Sequence, residues 1–496
     1  MSKKAVIIGS GMGGLTSALL LQQQGYEVTV LEQHTRPGGM LHRFFREGTA
    51  YDTGFHYCGS VDAGQPLGQI LRHLGVFDAL EFDSLDPDGF DQLAFPDLTF
   101  RVPTGWEAYR NRLIETFPHE AVGIAGFLDA LRRSMDAYGL YRMEATLDIE
   151  HLMQVEGAAL LDVIRSHIRD PRVASVLCGQ SVLYGVPPAE ASFGVHALIL
   201  DHFLQGAFTI RGGGDKLAMS LTRTIRRGGG KVRLETTACS VEVEGLQASA
   251  VHTTAGERLE ADIVVSNLHP RLTLDLLPEI ATRRAYRSRV AGNQIGHGHL
   301  GVYLEIDGAV PELGRHNYYR HTSWDPTYAY REITPQSVGM YFASAPSEHH
   351  PRKPDQPGVV LMLSPLSWDT VAPYASAPGE RPEAYLELKQ RLLDSAVRAL
   401  ISDFPTLDGR IARAEASTPL TTEYFTRSPQ GATYGHLHSV GQMGRYRPSQ
   451  RTRVRNLVMV GQGVFSPGVL GTALSAYYAV GHLIGLEALL DGLRRA

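Results

Sequence analysis

The sequence predicts an α/β protein: a doubly wound, Rossmann-type domain with an α+β domain and a helical insert placed between its pieces. Three observations predict it. A strand, a glycine turn, a helix and an acid-ended second strand fill the first 32 residues. A second glycine turn near the far end leads into a long apolar helix, and between the two ends the pattern passes from helical spacing to alternating strands.

Ala5-Val6-Ile7-Ile8 reads as the first strand and Gly9-Ser10-Gly11-Met12-Gly13-Gly14 as the turn and helix start. Gly9 permits the tight turn, Gly11 lets backbone approach a pyrophosphate, and Gly14 lets helix and strand pack closely. Met12 and Gly13 lie on the same turn, where amides at the helix start meet phosphate charge. The next strand, Val28-Thr29-Val30-Leu31, ends at Glu32 and Gln33. Glu32 suits a ribose with both hydroxyls free, since a carboxylate accepts hydrogen bonds and repels a 2′-phosphate. An ADP-containing dinucleotide is expected here.

Arg36-Pro37-Gly38-Gly39-Met40 is a second close-approach loop where a plain NAD domain runs into another helix, which points to the longer cofactor FAD. Asn456 to Gly463 reads as a strand entering a turn at Gly461 and Gly463. Gly468-Val469-Leu470-Gly471-Thr472-Ala473 then opens a helix predicted to run to about Leu493. Its start would set partial positive charge beside the flavin pyrimidine, with Val469, Leu470 and Thr472 at the ring. Both chain ends are therefore expected to build one FAD site.

These residues resemble the FAD-dependent amine oxidase and phytoene desaturase superfamily. Tyr51-Asp52-Thr53-Gly54-Phe55-His56-Tyr57 is similar to the retinol saturase pattern within it. Leu183 to Pro188, Val195-His196-Ala197-Leu198, Asp201-His202-Phe203, Arg211-Gly212-Gly213-Gly214 and Gly431-Ala432-Thr433-Tyr434-Gly435 extend the likeness over most of the chain. Animal retinol saturases carry an N-terminal targeting or membrane segment; here the first strand begins at about Ala5, and none is expected. The region Gly461 to Pro467 also differs in composition from theirs, which leaves the substrate open among polyenes.

The resemblance implies a glutathione reductase-like FAD domain made of residues 1–75, 205–275 and 428–496. It places a substrate domain at 76–106 and 276–427 and a helical cap at 107–204. It implies that Ala238 lies at the adenine, that Asn267 ends a strand near the dinucleotide, and that the Gly212 to Gly214 turn leads back to the FAD domain. In related carotenoid desaturases the region matching the cap touches the membrane, so peripheral membrane contact is implied. Within the cap, Phe127, Leu128, Leu131, Leu140 and Met143 recur at three- and four-residue spacing, as in helices.

A flavin carries the difficult chemistry, so the protein need supply orientation, electrostatics, exclusion of water and a proton. His56 and Tyr57 are expected at the flavin face beside Gly54, with histidine suited to proton transfer near neutrality. The alternative is that His56 only hydrogen-bonds backbone or cofactor. Tyr434, His436 and His438 form a second set, in which an extended segment puts both histidines on one face. His196 and His202 read as structural. No metal site is expected, because neither His436/His438 nor His297/His299 brings a third ligand. The Tyr318-Tyr319 and Tyr328-Tyr330 regions are expected to line an apolar channel.

A net charge of −5 and a pI near 6.5 offer no field for nucleic acid. Three scattered cysteines give neither a disulfide framework nor a CxxC site and suit a reducing cytoplasm. No apolar run reaches the roughly 18 to 20 residues of a membrane span. The expected activity is reduction of a carbon–carbon double bond in a retinoid, carotenoid or other isoprenoid polyene. Desaturation and redox-neutral cis-trans isomerisation use the same site. A lipid carrier resembling the Rab GDP-dissociation inhibitors, built on this architecture without flavin, is the alternative of another class. With one dinucleotide fold the electron donor is open between NAD(P)H and a separate reductase.

Overall fold

The structure is a computed structural model that describes residues 3–142, 144, 149–345, 357–377 and 380–496. Its first layer is a parallel sheet in the order Lys231–Arg233, Glu27–Leu31, Lys4–Ile8, Ile263–Ser266, Leu457–Met459. Its strands come from both ends and the middle of the sequence. Lys4–Ile8, rich in β-branched residues, sits at the centre with four of its five residues buried. The helix Met12–Gln23 is buried over most of its length, wedged between this sheet and the helix Gly468–Ile484.

The second layer is a seven-stranded mixed sheet. Its order is Ile411–Ser417, Gly298–Ile306, Gly358–Leu366, Met340–Ser344, Asn317–His321, Asp91–Phe95, Leu98–Val102. One face packs on the helix Glu383–Asp403 through Leu304, Val360, Met362, Leu392 and Leu400. The other, carrying Tyr319, Met340 and Phe342, faces the core shared with the parallel sheet. Alternation along Asn317–His321 therefore splits the tyrosine pair. Tyr319 points to the shared core, whereas Tyr318 packs on Tyr341 and Phe404 on the opposite face, which removes it from the expected channel.

Helices Trp106–Thr116, Ala121–Ser134, Ile149–Gly157, Leu160–His167, Pro171–Cys178 and Phe193–Leu204 fill the stretch expected to form the cap. Phe127, Leu128 and Leu131 are buried in it as their spacing predicts; Met143 lies outside the described residues. The predicted C-terminal helix is two helices, Gly468–Ile484 and Leu486–Arg495. Gly485 breaks it at φ +97°, a conformation outside the helical region. The Gly212 to Gly214 turn starts the helix Gly213–Arg227, and its glycines serve contact: a Cβ at Gly214 would stand 2.5 Å from the Leu41 carbonyl oxygen. Among the described residues no helix is long and apolar enough to cross a membrane.

Candidate active site

A cleft of about 480 Å³ runs along the C-terminal ends of the parallel strands, where open α/β sheets place their ligands. Gly9, Gly11, Met12 and Gly13 line it from the first turn, and Glu32 and Gln33 from the end of the second strand. Arg36, Gly38, Gly39 and Met40 follow from the second loop, with Gly54, Ala238, Asn267, Gly461, Gly463, Val469 and Thr472. Gly14 and Leu470 stand behind the wall. A Cβ at Gly14 would come within 2.1 Å of the Gly9 carbonyl oxygen, so this glycine sets helix against turn. Leu470 is buried in the core beneath.

Asn267 is the junction of the glycine turns. Its amide donates to the Ile8 carbonyl at 2.8 Å, and its side chain would meet a Cβ placed at Gly11 or Gly13 within 2.7 Å. Glu32 is buried and accepts from Ser10 N (3.0 Å), Ser10 Oγ (2.6 Å) and His34 N (2.9 Å). A carboxylate offers about four acceptor positions, so one remains for a ribose hydroxyl. Ser10 Oγ also accepts from Gly38 N at 3.1 Å and so ties the two glycine loops to the acid. Sequence reasoning passed over Ser10, although its place inside the Gly9–Gly11 turn was visible.

Two helices begin in this cleft, at Met12 and at Gly468, and neither N-cap residue, Gly11 or Pro467, supplies a side-chain cap. Each leaves free amides and the positive end of its dipole facing the space between them. That suits the pyrophosphate of a dinucleotide at one end and an electron-rich ring edge at the other. The residues present fit a flavin dinucleotide, which when bound supplies two-electron chemistry at its ring.

The chain matches the flavin containing amine oxidoreductase family over residues 12–483. It belongs to that family. Family membership makes it a flavin-dependent oxidoreductase. The chain is 28% identical to the all-trans-retinol 13,14-reductase of Rattus norvegicus, covering 95% of this chain and 84% of that protein. It is 26% identical to the neurosporene-forming phytoene desaturase of Cereibacter sphaeroides, over 95% of this chain and 93% of that one. These relatives put the chain in the retinol saturase and phytoene desaturase branch. A solved oxidoreductase from Methanosarcina mazei shares the fold at 18% identity with a TM-score of 0.68, covering 96% of this chain and 99% of that chain.

Of the four residues nominated for catalysis, Tyr434 lines the cleft; His56, Tyr57 and His438 do not. The Tyr434 hydroxyl donates to the Val182 carbonyl of the cap at 3.3 Å, and burial pushes its pKa up. His56 lies against Phe342, with ring centroids 5.2 Å apart and no partner for Nδ1 among the described residues. Burial lowers its pKa to about 4, so the ring is neutral at pH 7 and does not titrate near neutrality as its residue type suggests. Tyr57 Oη donates to Asp91 Oδ2 at 2.9 Å and lies 2.7 Å from Tyr319 Oη. His438 is buried, its Nε2 is without a partner among the described residues, and burial lowers its pKa to about 3.

Behind Tyr434 a group of rings closes the site. His299 Nδ1 is 2.6 Å from Thr433 Oγ1, on the cleft wall, and its Nε2 is 3.2 Å from Tyr330 Oη. Tyr330 is buried, and Tyr328 is half-buried with Arg331 stacked on it. His269, also on the wall, lies 4.3 Å from His436 between ring centroids. Burial lowers the pKa of His269 to about 2 and that of His436 to about 4. His196 contacts Tyr184 Oη at 3.2 Å. His202 accepts from Gly59 N at 2.9 Å and pairs with Ser60 Oγ, fixing the chain just beyond Tyr57. Among the described residues no group of three or more His, Cys, Asp or Glu could hold a metal.

Proposed function

We propose that the chain binds FAD and reduces a carbon–carbon double bond of a hydrophobic polyene, in the manner of a retinol saturase. The observation that carries this reading is the character of the walls behind Tyr434. His299, Tyr330 and Phe342 are buried and His56 is half-buried, and loss of hydration holds both histidines in the neutral form. Neutral rings suit an uncharged hydrocarbon and offer no anion to a cationic amine. The 13,14-reductase relative supports the reductive direction and the phytoene desaturase relative supports the same site working oxidatively.

The roles of the residues follow from their positions. Helix starts at Met12 and Gly468 hold anionic groups, Glu32 holds the ribose, and Gly54 and Met40 bound the ring end. Tyr434, Thr433 and His299 form the wall that excludes water on the substrate side. The buried free thiols Cys58 and Cys178 fit a reducing compartment such as the cytoplasm. The test is anaerobic photoreduction of the purified protein followed by a panel of retinoids and carotenoids and weighing of the products. A gain of two hydrogens supports reduction. Loss of two, with only the oxidised protein reacting, or unchanged mass with altered chromatography, replaces it by desaturation or isomerisation. A colourless protein that takes up no FAD favours the lipid-carrier reading.

A further inference from the structure

Asp91 is a carboxylic acid with no exposure to solvent. It sits in the strand Asp91–Phe95, between Asn317 and Val102 of its neighbours. Its hydrogen-bond partners come from three parts of the chain, and all are neutral. Asn317 Nδ2 donates to Oδ1 at 2.8 Å; Gln180 Nε2, just after the cap helix Pro171–Cys178, donates to Oδ2 at 2.5 Å. Tyr57 Oη stands 2.9 Å from Oδ2 and 2.7 Å from Tyr319 Oη; it donates to the carboxylate and accepts from the carboxylic acid. The titratable groups facing Asp91 are the two phenols, Tyr57 from the loop after Gly54 and Tyr319 from the adjoining strand. Arg101, on the other adjoining strand, turns outward to Asp86 and Asp88.

A charge buried this way without a cation costs several kcal/mol. An asparagine could meet the same neighbours by flipping their amides, without that cost. An ionisable group here therefore needs a reason beyond holding the sheet to the cap. Burial outweighs the donors and lifts the Asp91 pKa to about 7, which leaves the acid half protonated at neutrality and loaded with a proton below it. The phenols lead from it toward the site, for Tyr319 lies close enough to Tyr434 on the cleft wall to interact with it electrostatically. Tyr319 stands edge-on to Phe342, 5.0 Å between centroids, and Phe342 lies against His56. Tyr57 is the residue after His56.

We infer that Asp91 is the proton store for polyene reduction, passing its proton through the hydroxyls of Tyr57 and Tyr319 to the carbon that does not receive hydride. This inference rests on the reductive reading above. Reduction adds two electrons and a proton to one carbon, as hydride from reduced flavin, and a proton to the other. One phenol O–H breaks as the second C–H forms, each phenol regains a proton from the group behind it, and Asp91 ends as the carboxylate. After the product leaves, water entering the emptied site returns a proton to it along the same phenols before the next turnover. Asp91 touches neither substrate nor flavin and acts only through the phenols.

The test compares the flavin-loaded wild type with Asp91→Asn and Tyr57→Phe. In the wild type, infrared spectra taken from pH 5 to 9 are expected to show a buried protonated carboxyl that titrates near neutrality and is missing from Asp91→Asn. Single-turnover reduction by the photoreduced wild type is expected to slow as pH rises through that titration. Both variants are expected to bind polyene and photoreduce normally, to reduce it at least tenfold more slowly, and to lose that pH limb. If Asp91→Asn does not fold, Tyr57→Phe and the wild-type infrared titration carry the test. A wild type that reduces polyene while both variants match its rate and pH profile overturns the relay alone, as does absence of the carboxyl band. A wild type that reduces no polyene overturns the reductive reading and the relay with it.

Discussion

The two ends of the active site are made of different material. At the nucleotide end the surface is mainly backbone: Gly9, Gly11 and Gly13 in one turn, Gly38 and Gly39 in another, Gly461 in a third, with Asn267 at their crossing and two uncapped helix starts between them. Behind Tyr434 the surface is side chains, and His56, His299, Phe342 and Tyr330 arrive there from separate strands and loops. In the proposed reading, backbone amides and helix dipoles recognise what FAD always presents, a pyrophosphate and a ribose, whatever reaction follows. The chemistry of the substrate is met by side chains that can vary while the scaffold stays. Damage to the first end should therefore cost the protein its colour, and damage to the second should cost turnover while the colour remains.

The largest effect is expected from Gly14→Val. Its Cβ would press within 2.1 Å of the Gly9 carbonyl, a backbone atom that cannot move aside without opening the turn. The purified variant should carry no bound flavin, read from its absorbance, or fail to fold. Glu32→Ala comes next. It removes the acceptor of three hydrogen bonds and the proposed ribose contact, and charged hydrogen bonds contribute about 1.5 to 3 kcal/mol. FAD should bind about ten- to a hundredfold more weakly by titration calorimetry, with kcat at saturating FAD little changed.

Acid should affect both ends together. His196, His202, His299 and His438 are buried with pKa values lowered to about 3 or 4. Below about pH 6.5 the unfolded chain takes up protons that the folded chain refuses, so stability falls as pH drops through this window. Asp91 runs the other way: its raised pKa favours the folded state most in acid, and that contribution fades between about pH 4 and 7. Four histidines, each contributing up to about 1.4 kcal/mol per pH unit, outweigh one acid. Tm should drop by more than about 5 °C between pH 7 and pH 5; an unchanged Tm would show that these rings take up protons in place. The smallest effect is expected from Tyr434→Phe, which removes one long hydrogen bond, about 0.5 to 1.5 kcal/mol. It should keep full colour and lose a few-fold in turnover.

The same contrast explains what could be read from the sequence. Gly9 to Gly14, Glu32 and the Gly38–Gly39 loop fall in one continuous stretch at the start of the chain, so spacing alone disclosed them. Phe127, Leu128 and Leu131 disclosed the helix Ala121–Ser134 for a similar reason, since helical burial repeats locally. Asp91 and Tyr319 lie 228 positions apart and meet only because parallel pairing sets Asn317 opposite Asp91. No motif announces that. Tyr318 and Tyr319 looked interchangeable until register sent them to opposite faces of the sheet. The break at Gly485 lay in sight as a glycine, but glycine alone does not say whether a helix bends or stops.

The most direct measurement is the mass of the product formed when the photoreduced, flavin-loaded protein meets retinoids and carotenoids without oxygen. The account predicts a polyene heavier by two hydrogens, formed in step with return of the oxidised flavin absorbance. A protein whose reduced flavin stays reduced in the presence of every polyene, or that takes up no flavin, would contradict it.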